Sequence, residues 1–104
     1  MSIVKIGETN YTLKFTFNSF KYMEDFDLNE INKLEEKPFK IVGILETLLM
    51  GALNNNPKVV VSEEDVQNYL EKYMEDGDLA ELLQTLIDLL QDSNFFKSLQ
   101  KKAE

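Results

Sequence analysis

The sequence predicts an α+β domain, a β-hairpin at the N-terminus packed on a mostly helical bundle of about four to five helices. Two changes of hydrophobic rhythm predict it. From Tyr11 to Phe17 the chain alternates, with Tyr11, Leu13, Phe15 and Phe17 on one face and Thr12, Lys14 and Thr16 on the other. That period of two belongs to a strand with one buried face. From Leu79 to Gln91 the rhythm is helical. Leu79, Ala80, Leu82, Leu83, Leu86, Ile87, Leu89 and Leu90 gather on one half of a helix drawn at ~100° per residue, opposite Glu81, Gln84, Thr85, Asp88 and Gln91. No repeat, low-complexity tract or linker divides the 104 residues, so residues 1–104 read as one domain, hairpin over 1–17 and helices over 18–104.

Ile3 to Ile6 is the first strand, and Gly7-Glu8-Thr9-Asn10 supplies the turn into the second. A lone hairpin is marginal in water, so helices must cover its aromatic face. Asn18 is suited to cap a short helix that turns Phe20, Met23 and Phe26 inward. Asp27 to Lys37 is polar, with Leu28, Ile31 and Leu34 at spacings of three, and reads as a short helix or an ordered loop. Pro38 fits the first turn of a helix over Phe39 to Leu53, where its missing N–H is not needed. Ile41, Ile44, Leu45, Leu48, Leu49 and Ala52 share one broad face of that helix, and Met50 falls on the opposite side with Gly43, Glu46 and Thr47.

Asn54-Asn55-Asn56-Pro57 ends the helix, and Val59-Val60-Val61 fits a brief extended segment. Ser62, with Asp65 three residues on, starts the next helix, whose inward positions are Val66, Tyr69, Leu70, Tyr73 and Met74. Gly77 stops it and Asp78 caps the Leu-rich helix. After Asp92-Ser93-Asn94, residues Phe95 to Lys102 fit a last short helix.

Composition narrows the chemistry. Eleven basic against nineteen acidic residues leave a net charge of −8, which repels phosphate backbones and anionic lipid. Neither nucleic acid nor membrane is expected as a partner. There is no Cys and no His, hence no thiolate, no disulfide frame and no imidazole base or ligand. The start, Met1-Ser2-Ile3-Val4-Lys5-Ile6, has no basic stretch followed by a long apolar run, so no signal peptide is expected. The longest apolar run, Leu48 to Leu53, is too short to span a bilayer.

Asp25, Asp27, Asn29 and Glu36 match four positions of an EF-hand loop, but Glu30 stands where its sharp turn needs Gly and Asn32 where an aliphatic residue belongs. A solvated acidic connection explains them better. Carboxylate catalysis needs one acid in an apolar pocket, and every acid here falls on a polar face, cap or turn. No enzyme, metal or cofactor is expected. The wide apolar face of the Leu-rich helix, continued by Phe95 and Phe96, exceeds the roughly 100° stripe that a helix lying on its own core requires. It is either sealed between neighbouring helices or offered to a partner. The candidate contact residues are Leu82, Leu83, Leu86, Leu89, Leu90, Phe95, Phe96 and, as an adaptable thioether on a polar face, Met50.

The order of elements resembles the tail assembly chaperones of long-tailed phages of Gram-positive bacteria. The likeness rests on Ile6-Gly7-Glu8-Thr9-Asn10-Tyr11-Thr12-Leu13-Lys14-Phe15, the break at Asn56-Pro57-Lys58, the helix from Ser62 to Leu70, and the Leu-rich helix ending in Ser93-Asn94-Phe95-Phe96. The resemblance implies a non-catalytic protein of the host cytoplasm, absent from the mature virion. It would bind the tape-measure protein and keep it soluble while the tail tube polymerises. Some such chaperones have a longer frameshifted form that recruits the tail-tube protein, and this chain would correspond to the short one. Self-association into an array is expected as well. The alternative is an acidic regulator or DNA mimic that occupies the basic site of a nucleic-acid enzyme.

Overall fold

A computed structural model describes residues 3–94 and 96–98. The chain opens with strands β1 (Ile3–Ile6) and β2 (Thr9–Thr12), paired antiparallel with Ile3 opposite Thr12 and Ile6 opposite Thr9. Only Gly7 and Glu8 link them. Gly7 has φ of 64° while Glu8 stays at negative φ, the pattern of a type II′ hairpin turn, which needs Gly first. The expected four-residue turn is therefore corrected to two residues, because Thr9 and Asn10 pair with β1.

The second strand is also shorter than the alternation suggests. Beyond Thr12 the chain leaves its partner strand, and the Lys14 amide donates to the Ala52 carbonyl at 3.1 Å. Leu13 and Phe15 still point inward, but Phe17 is 78% exposed. The cause is local. Thr16 caps helix α1 (Phe17–Phe20): its side chain accepts from the Ser19 amide, and Ser19 Oγ accepts from the Thr16 amide at 2.9 Å. That reciprocal box ends the period of two one residue before Phe17. Asn18, expected as the cap, instead donates through Nδ2 to the Asn54 carbonyl at 2.9 Å.

The remaining elements are α2 (Asn29–Asn32), α3 (Lys40–Leu53), α4 (Glu63–Asp76) and α5 (Leu79–Gln91), after which residues 94 and 96–98 are helical. Of the predicted last helix, residues 96–98 are helical, and residues 95 and 99–102 lie outside the described residues. Ser62 Oγ accepts from the Asp65 amide at 3.1 Å and Asp78 Oδ1 from the Ala80 amide at 2.9 Å, so α4 and α5 start where their caps predict. Val59 to Val61 forms no strand; Val61 is buried and Val60 exposed. Among the described residues no helix is long and apolar enough to cross a membrane.

Helix α3 is the hub, touching α1, α2, α4, α5 and β2. Its Leu45, Leu48, Leu49 and Leu53 are fully buried together with Val66 of α4 and Leu86 of α5. Three consecutive asparagines fasten its C-terminal end. Asn54, fully buried, donates to the Met50 carbonyl at 2.8 Å and the Val61 carbonyl at 3.1 Å, and accepts from the Val61 amide at 2.8 Å. Asn55 Nδ2 donates to the Thr12 and Ala52 carbonyls, each at 2.8 Å, and the Thr16 hydroxyl donates to the Asn55 carbonyl at 2.6 Å. Asn56 Oδ1 accepts from the Lys58 amide at 2.9 Å. A buried backbone group left without a partner is costly, and these side chains supply partners where the helix stops.

Candidate functional site

The Leu-rich face of α5 is the first place to look, and most of it is covered. Leu82, Leu83, Leu86 and Leu90 are buried in the same cluster as Leu45 and Leu48, with Leu86 at 0% exposure. These four contact candidates are corrected to core, because α5 packs along α3 and the two wide apolar faces seal each other. Leu89, Phe96 and Met50 are half-buried at the margin of that core, and Phe95 lies outside the described residues. Met74, expected inward on α4, is exposed.

Large apolar side chains are exposed elsewhere. Phe39, at the start of α3, is 90% exposed, and Val42, Tyr22 and Leu28 are exposed too. A cleft of ≈ 580 Å³ lies between residues 21–30 and the first half of α3. Tyr22, Phe26 and buried Ile44 give it an apolar interior, with Gly43 and Thr47 along the α3 side. Glu24, Asp25, Asp27 and Glu30 set its charge, offset by Lys21 and Lys40. Of the four exposed residues Tyr22 lines the cleft, while Leu28, Phe39 and Val42 lie on the segments that frame it without lining it. The sequence did hold a signal for this side. At ~100° per residue Phe39 and Gly43 fall on the far side of α3 from Leu45, Leu48 and Ala52.

One ion pair bridges the cleft. Lys40 Nζ donates to Glu30 Oε2 at 2.8 Å, tying α2 to the first turn of α3. The bond and charge of Lys40 hold the Glu30 carboxyl below its usual range, helped by Lys33 and Lys37. The pair is solvent-exposed, so it fixes position more than it stabilises.

Two helical glycines differ in a telling way. A Cβ on Gly51 would meet the Met23 side chain and come within 3.2 Å of the Ser19 carbonyl, so close packing requires Gly there. A Cβ on Gly43 would meet nothing within 4 Å. Glycine in a helix interior costs up to about 1 kcal/mol relative to alanine, and nothing inside this molecule requires it at position 43. Gly43→Ala is expected to raise stability by about 0.5–1 kcal/mol in urea denaturation.

Other chemistry is sparse. Residues 29–32 of the EF-hand-like stretch are helical, and Asp27 Oδ1 accepts from the Asn29 amide at 2.9 Å rather than facing an ion site. Among the described residues no group of three or more His, Cys, Asp or Glu could hold a metal ion. A second cleft, ≈ 460 Å³, separates the hairpin turn at Lys5, Ile6 and Gly7 from Asn68, Tyr69 and Lys72 of α4. Burial, and secondarily Tyr73, pushes the Tyr69 hydroxyl above its ordinary value.

Among the described residues Glu46 of α3 is the one carboxyl pushed upward, by desolvation first and then by hydrogen bonding to Glu63 of α4, against a lowering from Gln67. It borders neither cleft. An acid raised in the folded state favours folding below its unfolded value near 4.5, and that contribution is lost as pH rises through the raised value. Glu46→Gln is expected to stabilise the chain at pH 7 by about 0.5 kcal/mol or less, and the difference should vanish near pH 4. Paired urea melts across that range check it. No protein-family model, no curated protein and no solved structure matches the chain.

Proposed function

We propose that the chain is a non-catalytic protein-binding module of the phage tail-assembly-chaperone kind, acting on the tape-measure protein in the host cytoplasm and left out of the finished virion. The order of elements in the sequence supports the family, and one observation carries the binding role: Phe39, Val42, Tyr22 and Leu28 all stand exposed on residues 21–30 and the start of α3, the two segments that frame the cleft, with Tyr22 in its lining. Scattered apolar residues are ordinary on a surface, but a group of large ones around a concavity is how proteins meet other chains. The net charge of −8 suits the task, since a carrier of an aggregation-prone helical chain must keep the complex dissolved. The contact surface in this reading is the cleft side of α3, in place of the buried leucines of α5. Many copies along one long helical partner would reinforce one another by proximity, which is the basis for expecting self-association.

Co-expression tests it. A tape-measure protein that is insoluble alone should become soluble when made with this chain and co-purify with it. A Phe39→Gln variant should keep its stability within about 0.5 kcal/mol, because the residue is 90% exposed, and should lower the soluble yield. A partner that stays insoluble with the parent chain, across candidate tape measures, would remove the chaperone reading.

A further inference from the structure

We infer that the cleft beside α3 is a docking groove for a helix of another protein that presents a Lys or Arg next to apolar side chains, crossing α3 at Gly43. This rests on the protein-binding reading above and names the chemistry of its partner. Gly43 is the first ground. Its open side faces the cleft, no internal contact requires it, and the bare backbone lets a second helix approach closely. Phe39 stands one turn earlier on the same side of α3, 90% exposed, placed as a ridge beside that crossing.

Charge complementarity is the second ground. The lining holds four carboxylates against two lysines, and among the described residues Lys40–Glu30 is the one salt bridge. Glu24 and Asp25 have no ion-pair partner there, and Asp27 is engaged by a single backbone amide. Tyr22, Phe26 and Ile44 line the same cleft as these acids. A cationic side chain of the partner would lay its aliphatic stem on the aromatic rings and its charged end among the carboxylates. An acidic or uniformly apolar helix would leave those carboxylates desolvated and unpaired, which selects against it.

The test uses the full chain, isotope-labelled for NMR, with a synthetic amphipathic helix of Leu and Lys, roughly 18 residues or five turns long. Addition of this peptide should shift the amide signals of Lys40, Gly43 and Thr47 and of residues 21–27. The same helix with Glu for every Lys should leave the spectrum unchanged. Gly43→Gln keeps the charge, raises rather than lowers helix propensity and fills the groove, so it should weaken binding about tenfold or more with the fold intact. Shifts centred elsewhere, an unshifted spectrum with the Leu-Lys helix, or a Gly43→Gln variant that binds as tightly as the parent would overturn the groove. The two readings fail separately. If tape-measure rescue succeeds equally with Gly43→Gln, the groove falls and the chaperone role stands. If rescue fails but the peptide maps to the groove, the groove stands and the chaperone role falls.

Discussion

Asn54→Ala is expected to destabilise the protein by about 3–5 kcal/mol, a large share of the roughly 5–15 kcal/mol that holds a domain of this size together. The side chain is fully buried and spans two segments: the end of α3 through the Met50 carbonyl and the lead-in to α4 through both backbone groups of Val61. Removing it leaves the amide and carbonyl of buried Val61 without partners, and each such orphan costs about 1–3 kcal/mol. The Met50 carbonyl still receives the Asn54 amide at 3.1 Å, so it adds less. Asn54→Asp should be worse than alanine at neutral pH. One carboxylate oxygen could still accept from the Val61 amide, but the other would face two carbonyl oxygens. The aspartate variant should regain stability on acidification and the alanine variant should not. Urea denaturation at pH 7 and pH 4 separates the two, and an alanine variant within 1 kcal/mol of the parent would show the clamp to be dispensable.

Leu86→Gln is expected to cost about 4–7 kcal/mol, and with Leu90→Gln added the chain should not fold at 25 °C. Leu86 is fully enclosed and Leu90 nearly so. Truncating a buried leucine costs about 2–5 kcal/mol, and an amide placed there without partners adds about 1–3 more. Far-UV circular dichroism and a urea melt suffice to check this. The result bears on function. Loss of partner binding in such a variant would report unfolding, whereas Phe39, 90% exposed, and Gly43, where an added Cβ meets nothing within 4 Å, can report contact.

Much of the fold was legible because its signals are local. Ser62, Gly77 and Asp78 mark helix ends through bonds spanning at most four residues, and α4 and α5 fall where they predict. The hairpin was legible in kind but not in length. Whether Thr9 and Asn10 belong to turn or strand depends on pairing with β1, and the exit at Thr12 depends on Ala52 and Asn55, some forty residues away. The site was less legible for the same reason. A wide apolar stripe looks alike whether a neighbour seals it or not, and α5 meets an equally wide stripe on α3. Phe39 and Gly43 were visible as residues off the apolar face of α3. The cleft that makes them notable is assembled from α3 and residues 21–30, whose placement no periodicity encodes.

The bonds joining the hairpin to the end of α3 also set an order of events during synthesis. Thr12, Lys14 and Thr16 find their partners at Ala52 and Asn55. Translation at about 5–20 residues per second delivers those partners roughly 2–8 s after the hairpin itself is made. Throughout that interval the ribosome carries an opening ribbon whose Leu13 and Phe15 have nothing to rest on, and arrival of the triple asparagine is the moment at which the first and middle thirds of the chain lock together.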